Sequence, residues 1–368
     1  MALAPPSSSS STPSIVVGGT DHAVYRVAGS ASGLSLTQTL YTKTAGHTEW
    51  VTCVAAAPDD TVVSGGMDSY VMVWPPRRAS CMPLFGHEAP ITQLALVNSD
   101  SVLSASYDGT ILLHNLNNPT ALASWGGDVD GAIAAGDYMA LTRNPILGLA
   151  VTSQTLWAST KDGRLLQFAR NTPSVTPTTT IRAHRGATRI AIPRKDAPDS
   201  VVTTAGNLDG AIKMFDTRIP AEKGRCVRRL EQALHRGGVT NLLALENGST
   251  LVSCGGGDGH IKVIDAASLA VIADHEVVPG MQAGNAAASV YDLVPWGRDG
   301  VVAAWGDGRV WASQDIGAGQ SAPAGQAVWF DAREQGICNA LKSVRITHDG
   351  KAIVGAGDDG CVVWWDIP

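Results

Sequence analysis

The sequence lacks most of the features that announce chemistry. Its six cysteines, Cys53, Cys81, Cys226, Cys254, Cys338 and Cys361, include no Cys-x-x-Cys pair, so neither a zinc site nor a dithiol redox centre is indicated. No G-x-x-x-x-G-K-[ST] loop is present, and His-x-x-x-His, EF-hand and clustered-carboxylate patterns are missing as well; no metal or cofactor is expected. Charge is scarce too. Charged residues make up 16% of the chain, against about 25% in ordinary globular proteins. The net charge of -6 and the pI near 5.8 give no basic stripe of the kind nucleic acid requires. A local run at Arg225, Arg228 and Arg229 reads as a solvated edge strand whose charges discourage aggregation. Direct nucleic-acid binding is not expected.

Met1 to Ser14 has no positive charge and no apolar stretch of signal-peptide length. Residues 1–14 are read as a flexible Ser/Pro-rich tail. No run approaches the roughly 18 apolar residues of a membrane span. These features together lead us to expect an intracellular, cytoplasmic protein in a reducing compartment, without a membrane span.

What the sequence does have is glycine, 40 residues of it, with 44% apolar content and no long polar tract. That combination suits many short strands joined by tight turns, because glycine tolerates the positive φ those turns need. A repeat then emerges. An apolar strand, a Gly-rich or polar step, an Asp and a second apolar strand recur along the chain. The copies centre on Asp21, Asp68, Asp108, Asp162, Asp209, Asp258, Asp307 and Asp359. From Asp68 onward they lie about 40 to 55 residues apart, the period of a propeller blade. Each is preceded by an alternating strand, such as Val51–Val54 or Ile91–Leu94, and before that by a more polar one, such as Ser35–Tyr41. Four strands per repeat in a meander make one twisted blade.

The repeat resembles that of the WD-repeat family over about residues 35–368. The first copy carries Gly46-His47, Ser64, Asp68 and Trp74. The second carries Gly86-His87, Ser104 and Asp108, with His114 at the Trp position, and the last keeps Trp365-Asp366. His184, Asp209, Phe215-Asp216, His235 and Asp258 continue the series. The fold expected is an all-β closed β-propeller of four-stranded antiparallel blades, residues 15–368 forming one domain. Seven copies of full length end near residues 75, 116, 169, 217, 265, 314 and 368. Seven blades are preferred, with Ser35–Thr42 completing the sheet of residues 339–367; eight are possible if Ile15–Val27 is a blade of its own.

A His, an Asp, a hydroxyl and an indole invite a catalytic reading. Their recurrence in several copies argues instead for a structural tetrad (His47, Ser64, Asp68, Trp74) whose members satisfy one another. Gly-rich steps such as Cys254–Gly259 lack the strand–loop–helix setting of a nucleotide site and read as turns. No catalytic residue is assigned, and an enzyme is not expected.

The resemblance implies a non-catalytic scaffold that assembles other proteins, with partners meeting one propeller face. Positions preceding the turn Asp give Met67, Tyr107, Lys161, Leu208 and Asp358. Positions flanking the inner strand give Trp50, Thr52, Pro90, Tyr291 and Lys342. Among these, Trp50, Tyr107 and Tyr291 carry the most weight, since aromatic anchors dominate many interfaces. A second reading uses Phe215-Asp216-Thr217-Arg218, which resembles the Trp-Asp-x-Arg box of cullin-type ubiquitin-ligase substrate receptors. There Asp216 and Arg218 would meet the adaptor. Insertions at residues 126–144 and 278–288 are long enough to be functional loops.

Overall fold

The structure is a computed structural model that describes residues 1–4, 14–30, 33–42, 45–76, 78, 80–127, 144–230, 234–277, 286–316, 327–335 and 340–367. Cys338, residues 5–13 and most of both insertions lie outside these residues. The described chain is all-β apart from three short 3-10 turns. Its strands form eight antiparallel sheets, seven of four strands and one of three. We call them blades 1–8; they span residues 2–40, 51–84, 91–126, 146–182, 188–230, 239–276, 290–331 and 341–366.

The count is therefore the eight-blade alternative. Ile15–Val27 supplies two strands, Ser14–Gly18 and Val24–Ser30, paired with each other. The strand Gly33–Leu40 pairs with Val24–Ser30 and is the outer strand of blade 1. It does not complete the sheet of residues 341–366, which has three strands among the described residues. Of the residues expected as a tail, Ala2–Leu3 pairs with Ile15 and Val16 and Ala4 is buried, while residues 5–13 lie outside the described ones. The seven predicted copy ends fall within two residues of the ends of third strands, from Val71–Trp74 in blade 2 to Val362–Asp366 in blade 8.

The chain divides into two compact units, Met1–Lys161 with Leu165–Thr180, and Asp162–Arg164 with Ile181–Pro368. Within each unit the core lies between successive blades. In the first, Val16, Val24 and Leu40 of blade 1 pack on Val62, Met72 and Trp74 of blade 2. Val63, Val71 and Val73 of blade 2 pack the other way, on Ile91 and Val102 of blade 3. Adjacent residues thus face opposite neighbours, and this is why inner strands read as unbroken apolar runs rather than as alternation. The second unit repeats the plan, with Val301 and Ala303 packed toward blade 6 and Val302 and Ala304 toward blade 8.

Two local devices shape the blade ends. The first is the turn after the second strand. The residue following the turn Asp lies at positive φ in all eight blades: Gly109, Gly163, Gly210, Gly259, Gly308 and Gly360, but Ser69 in blade 2 and His22 in blade 1. The second is a bulge at the start of the inner strand. In blade 2 Val51 pairs with Gly66 and Cys53 with Gly65, so Thr52 is the extra residue. The same irregularity leaves Thr240, Tyr291 and Lys342 as the extra residue in blades 6, 7 and 8. A bulge re-aims the side chain it carries.

Candidate functional site

Among the described residues, four blades hold a buried polar set. In blade 2, His47 Nδ1 lies 3.0 Å from the Asp68 carboxylate and Nε2 lies 2.8 Å from Ser64 Oγ. Trp74 Nε1 donates to the same hydroxyl oxygen at 2.8 Å. With the His47 proton on Nδ1, the relay is complete: indole to hydroxyl, hydroxyl to imidazole, imidazole to carboxylate. Asp68 also accepts the backbone N–H groups of Thr48 and Tyr70. Gly66 lets this set sit against the backbone, since a Cβ there would come within 2.4 Å of both Asp68 Oδ1 and His47 Nδ1.

Blade 3 repeats the geometry with His87, Asp108 and Ser104, at 2.9 and 2.8 Å. Here His114 takes the indole's place, its Nε2 3.1 Å from Ser104 Oγ. His114 Nδ1 is buried and without a partner among the described residues. Burial, aided by His87, lowers the His114 pKa to about 4, so the ring is neutral. Burial pushes the Asp108 carboxyl up, but His87, Thr110 and the Glu88 amide outweigh it and hold the pKa at about 2. Blade 5 pairs His184 with Asp209 and Thr204, and blade 6 pairs His235 with Asp258 and Ser253.

Sequence reading found the His and Asp of blades 5 and 6 but missed the hydroxyls Thr204 and Ser253. In blades 2 and 3 the Ser stands four residues before the Asp, whereas Thr204 and Ser253 stand five before it. One extra turn residue hides the match. All four hydroxyl-bearing residues are buried, at 0% exposure. No substrate carbonyl can reach such an oxygen, and in blade 2 it already accepts an indole proton. The sets are struts of the blade.

The two classes of predicted binding position meet at the blade ends, and a backbone bond explains why. The N–H of the residue before the turn Asp donates to the carbonyl just ahead of the inner strand. Met67 thus bonds Trp50 at 2.8 Å and Tyr107 bonds Pro90 at 3.0 Å. Lys161 and Asp358 make the same bond, to Pro145 and Ala340. In blade 5 the longer turn gives this bond to Asn207 instead, and Leu208 is thrown outward to 76% exposure.

Trp50 is 53% exposed and Met67 is exposed beside it, whereas Tyr107 and Pro90 are half-buried. Thr52 is exposed as a residue, but its hydroxyl is shared between the carbonyls of Gly65 and Ile91, stitching blade 2 to blade 3. In the second unit three predicted residues come together. Lys342 Nζ lies 3.5 Å from the centroid of the Tyr291 ring and 3.6 Å from Asp358. Tyr291 and Lys342 are the bulge residues of neighbouring blades. Four exposed aromatics lie outside the predicted set, Tyr41, Tyr70, Phe85 and Trp329, and of these Tyr70 and Phe85 meet edge to face at 5.8 Å.

Arg218 folds back on its own box. Its guanidinium donates to both Asp216 oxygens, at 2.9 and 2.7 Å, and holds that carboxyl below the usual range. The same Phe-Asp-x-Arg arrangement recurs at Phe330–Arg333, where Arg333 likewise grips Asp331. A ring–Asp–x–Arg turn is thus a local closure here, and the ubiquitin-ligase reading is not favoured. Among the described residues no helix is long and apolar enough to cross a membrane. None of these residues forms a His/Cys/Asp/Glu group able to hold a metal ion.

Eight antiparallel blades, four of them with a buried Asp–His–hydroxyl set, make this chain an all-β propeller of the kind that WD repeats build, and three of its stretches match that family's model. The family model described as WD domain, G-beta repeat, matches residues 36–75, 79–115 and 224–265. Each matched stretch starts in or just ahead of the outer strand of one blade and ends with the third strand of the next, so repeat and blade are offset by one strand. The chain is 23% identical over 205 residues to apoptotic protease-activating factor 1 of Homo sapiens, a match covering 54% of this chain but 15% of that protein. The computationally designed Ika8 protein is similar over 100% of this chain and 95% of its own, with a TM-score of 0.71 at 23% identity. The C-terminal WD40 domain of Sif2 gives a TM-score of 0.70 at 14% identity, with the same coverage. A chain of the mitotic checkpoint complex gives 0.62 at 14% identity, covering 86% of this chain and 89% of its own.

Proposed function

We propose that the protein is a non-catalytic scaffold that binds partner proteins or peptides at its blade ends and holds them in a multiprotein assembly. The observation that carries this reading is where the exposed large apolar side chains stand. Trp50, Met67, Leu208 and Tyr291 lie at positions the repeat presents outward, while the polar groups beside them are consumed inside the blades. Large aromatic and apolar groups left in water are costly unless a partner covers them, and they dominate binding energy when one does. The likeness in fold to a chain of a checkpoint complex supports the same reading. Free thiols at Cys53, Cys81 and Cys254 suit a reducing, cytoplasmic setting.

The test is co-purification of the full chain from native cells, with Trp50→Ala and Leu208→Ala run beside it. The reading expects partners in stoichiometric amounts, at least one of which is released by a variant that melts like the parent. Retention of no protein in mild salt, together with turnover of a small molecule, would overturn it.

A further inference from the structure

Among the described residues Leu208 is the most exposed large apolar side chain, at 76%. It lies on the loop ahead of the inner strand of blade 5. A Cβ at Gly186 would collide with the Leu208 side chain, and the neighbouring Asn207 gives its N–H to the Ala187 carbonyl at 3.1 Å. The corresponding loop of blade 6 abuts the same turn, with no room for a Cβ between Gly238 and the Asn207 carbonyl. Each of these loops carries an arginine immediately after its buried histidine. Arg185 and Arg236 give their backbone N–H groups to Asp209 and Asp258, at 3.4 and 3.3 Å, and both residues are exposed. Leu208 thus stands where two loops meet, each bearing an exposed arginine.

The acids around this junction are already engaged. Asp209 bonds His184 at 3.0 Å and lies 3.6 Å from Lys213 Nζ, which itself donates to the Ala183 carbonyl at 2.7 Å. Asp258 is taken up by His235 and by the amides of Arg236 and His260. Asp162 sits on the turn whose Gly163 carbonyl accepts the His184 N–H, and Arg164 holds it at 2.9 Å. Among the described residues neither the Arg185 nor the Arg236 guanidinium has a partner; the bonds of both residues come from their backbone. Arg218, Arg309 and Arg333 of the same unit each grip an aspartate two residues away. The repeat does not dictate the two arginines, since Thr48 and Glu88 fill the same position in blades 2 and 3.

We infer that the ends of blades 5 and 6 form a docking surface for a segment of another protein in which an apolar side chain is flanked by aspartate or glutamate. This rests on the scaffold reading above and names the partner chemistry of one part of that face. The apolar side chain packs on Leu208, and the carboxylates pair with Arg185 and Arg236, whose planar forks match them. A basic segment is repelled there, and a purely apolar one leaves two cations without an anion. A nucleic-acid strand would bring phosphates, but an aliphatic leucine gives its bases no ring to stack on. The net charge of -6 also repels a polyanion.

A displayed library of short random peptides, selected on the full chain, tests this directly. The expected winners combine acidic and apolar residues. Their affinity falls roughly tenfold or more with Leu208→Ala, the scale of an interface anchor. The Arg185→Gln/Arg236→Gln double variant weakens them less and flattens their salt dependence, as loss of a screened attraction requires. Selection on Arg185→Glu/Arg236→Glu should enrich basic peptides instead. All three positions are exposed, and every replacement keeps the backbone N–H that the turn Asp accepts; each variant is checked for an unchanged melting temperature. Winners that are basic or wholly apolar on the parent chain overturn the inference. So do acidic winners that survive both Leu208→Ala and the arginine variants, an outcome that leaves the scaffold reading standing. If no peptide of any class is enriched the inference falls, while co-purification decides the scaffold reading on its own.

Discussion

Blades 2 and 3 of the same chain solve one problem with different parts. Both bury a carboxylate, an imidazole and a serine in nearly identical geometry, and they diverge at the ring that closes the relay and at the Thr110 hydroxyl that blade 3 adds beside its carboxylate. In blade 2 the indole of Trp74 gives its one proton to Ser64 and has nothing else to satisfy. In blade 3 the imidazole of His114 bonds Ser104 and leaves a ring nitrogen buried and bare. The lesson is that the Asp–His–hydroxyl part is held by hydrogen bonds, whereas the fourth position is held by packing. Blade 5 has Phe215 there and blade 6 has Ile264, neither of which can donate a side-chain proton.

The sharpest break in the comparison is to empty the fourth position. Trp74 is fully buried between blades 1 and 2. Trp74→Ala should cost about 3–5 kcal/mol, read as a lower denaturant midpoint at unchanged slope. His114→Ala removes a smaller ring and a bare nitrogen, so it should cost clearly less. Comparable losses in the two would show that packing does not decide this position.

Next in size is the carboxylate. Asp108→Ala strands the amides of Glu88 and Thr110 but leaves the His87 imidazole and the Thr110 hydroxyl paired with each other, 3.0 Å apart, at a cost of about 2 kcal/mol. Asp68→Ala strands the His47 Nδ1 and two amides with no such hydroxyl at hand, and should cost somewhat more. Parallel denaturation of the two variants measures the difference, and the opposite order would contradict it.

Acid should separate the blades further. With the folded His114 pKa at about 4 against an ordinary 6.5, the unfolded chain binds a proton in that window that the folded chain refuses. Stability therefore falls as pH drops from the upper value to the lower, by about 1.4 kcal/mol for each full unit of pH within it. His114→Phe should flatten this slope by about 2 kcal/mol between about pH 7 and about pH 5. His184, whose pKa burial also lowers, contributes equally to both proteins and cancels. Asp108, at about 2, is still ionised there and keeps its contribution. Equal slopes in the parent and the Phe variant would refute the assignment.

The smallest effect concerns the turn. Ser69 holds a φ of 71° where blade 3 has Gly109 at 79°. Ser69→Gly should stabilise by up to about 1 kcal/mol by relieving left-handed strain, and a melting curve with no upward shift would count against it.

Much of this was legible in the sequence because it repeats. The third-strand ends, the turn Asp of every blade and the tetrad of blade 2 all follow from a pattern visible without coordinates. What escaped reading did so for identifiable reasons. Thr204 and Ser253 stand one residue out of register, since the turns of blades 5 and 6 are longer. Blade 1 begins with a two-residue strand, Ala2–Leu3, too short to carry a pattern. Under the seven-blade preference Ser35–Thr42 falls to the last sheet, because a repeat begins with an outer strand and a blade ends with one; the eight-blade alternative leaves it in blade 1, where Gly33–Leu40 stands. The predicted face was legible as positions but not as chemistry. Only a bulge, which no local propensity announces, brings Lys342 over Tyr291, and only ring geometry brings Phe85 to Tyr70.

The offset between repeat and blade also dictates where the chain can be cut. A fragment ending at residue 75, where a sequence repeat stops, would strip Met82–Leu84 from the edge of blade 2 and bare Val71–Trp74. That strand is apolar, rich in β-propensity and free of charge, the composition that seeds intermolecular pairing. A fragment carried on to residue 85 keeps the outer strand and ends in a surface loop. Two pieces differing by ten residues should therefore differ in solubility, the longer one being the better behaved.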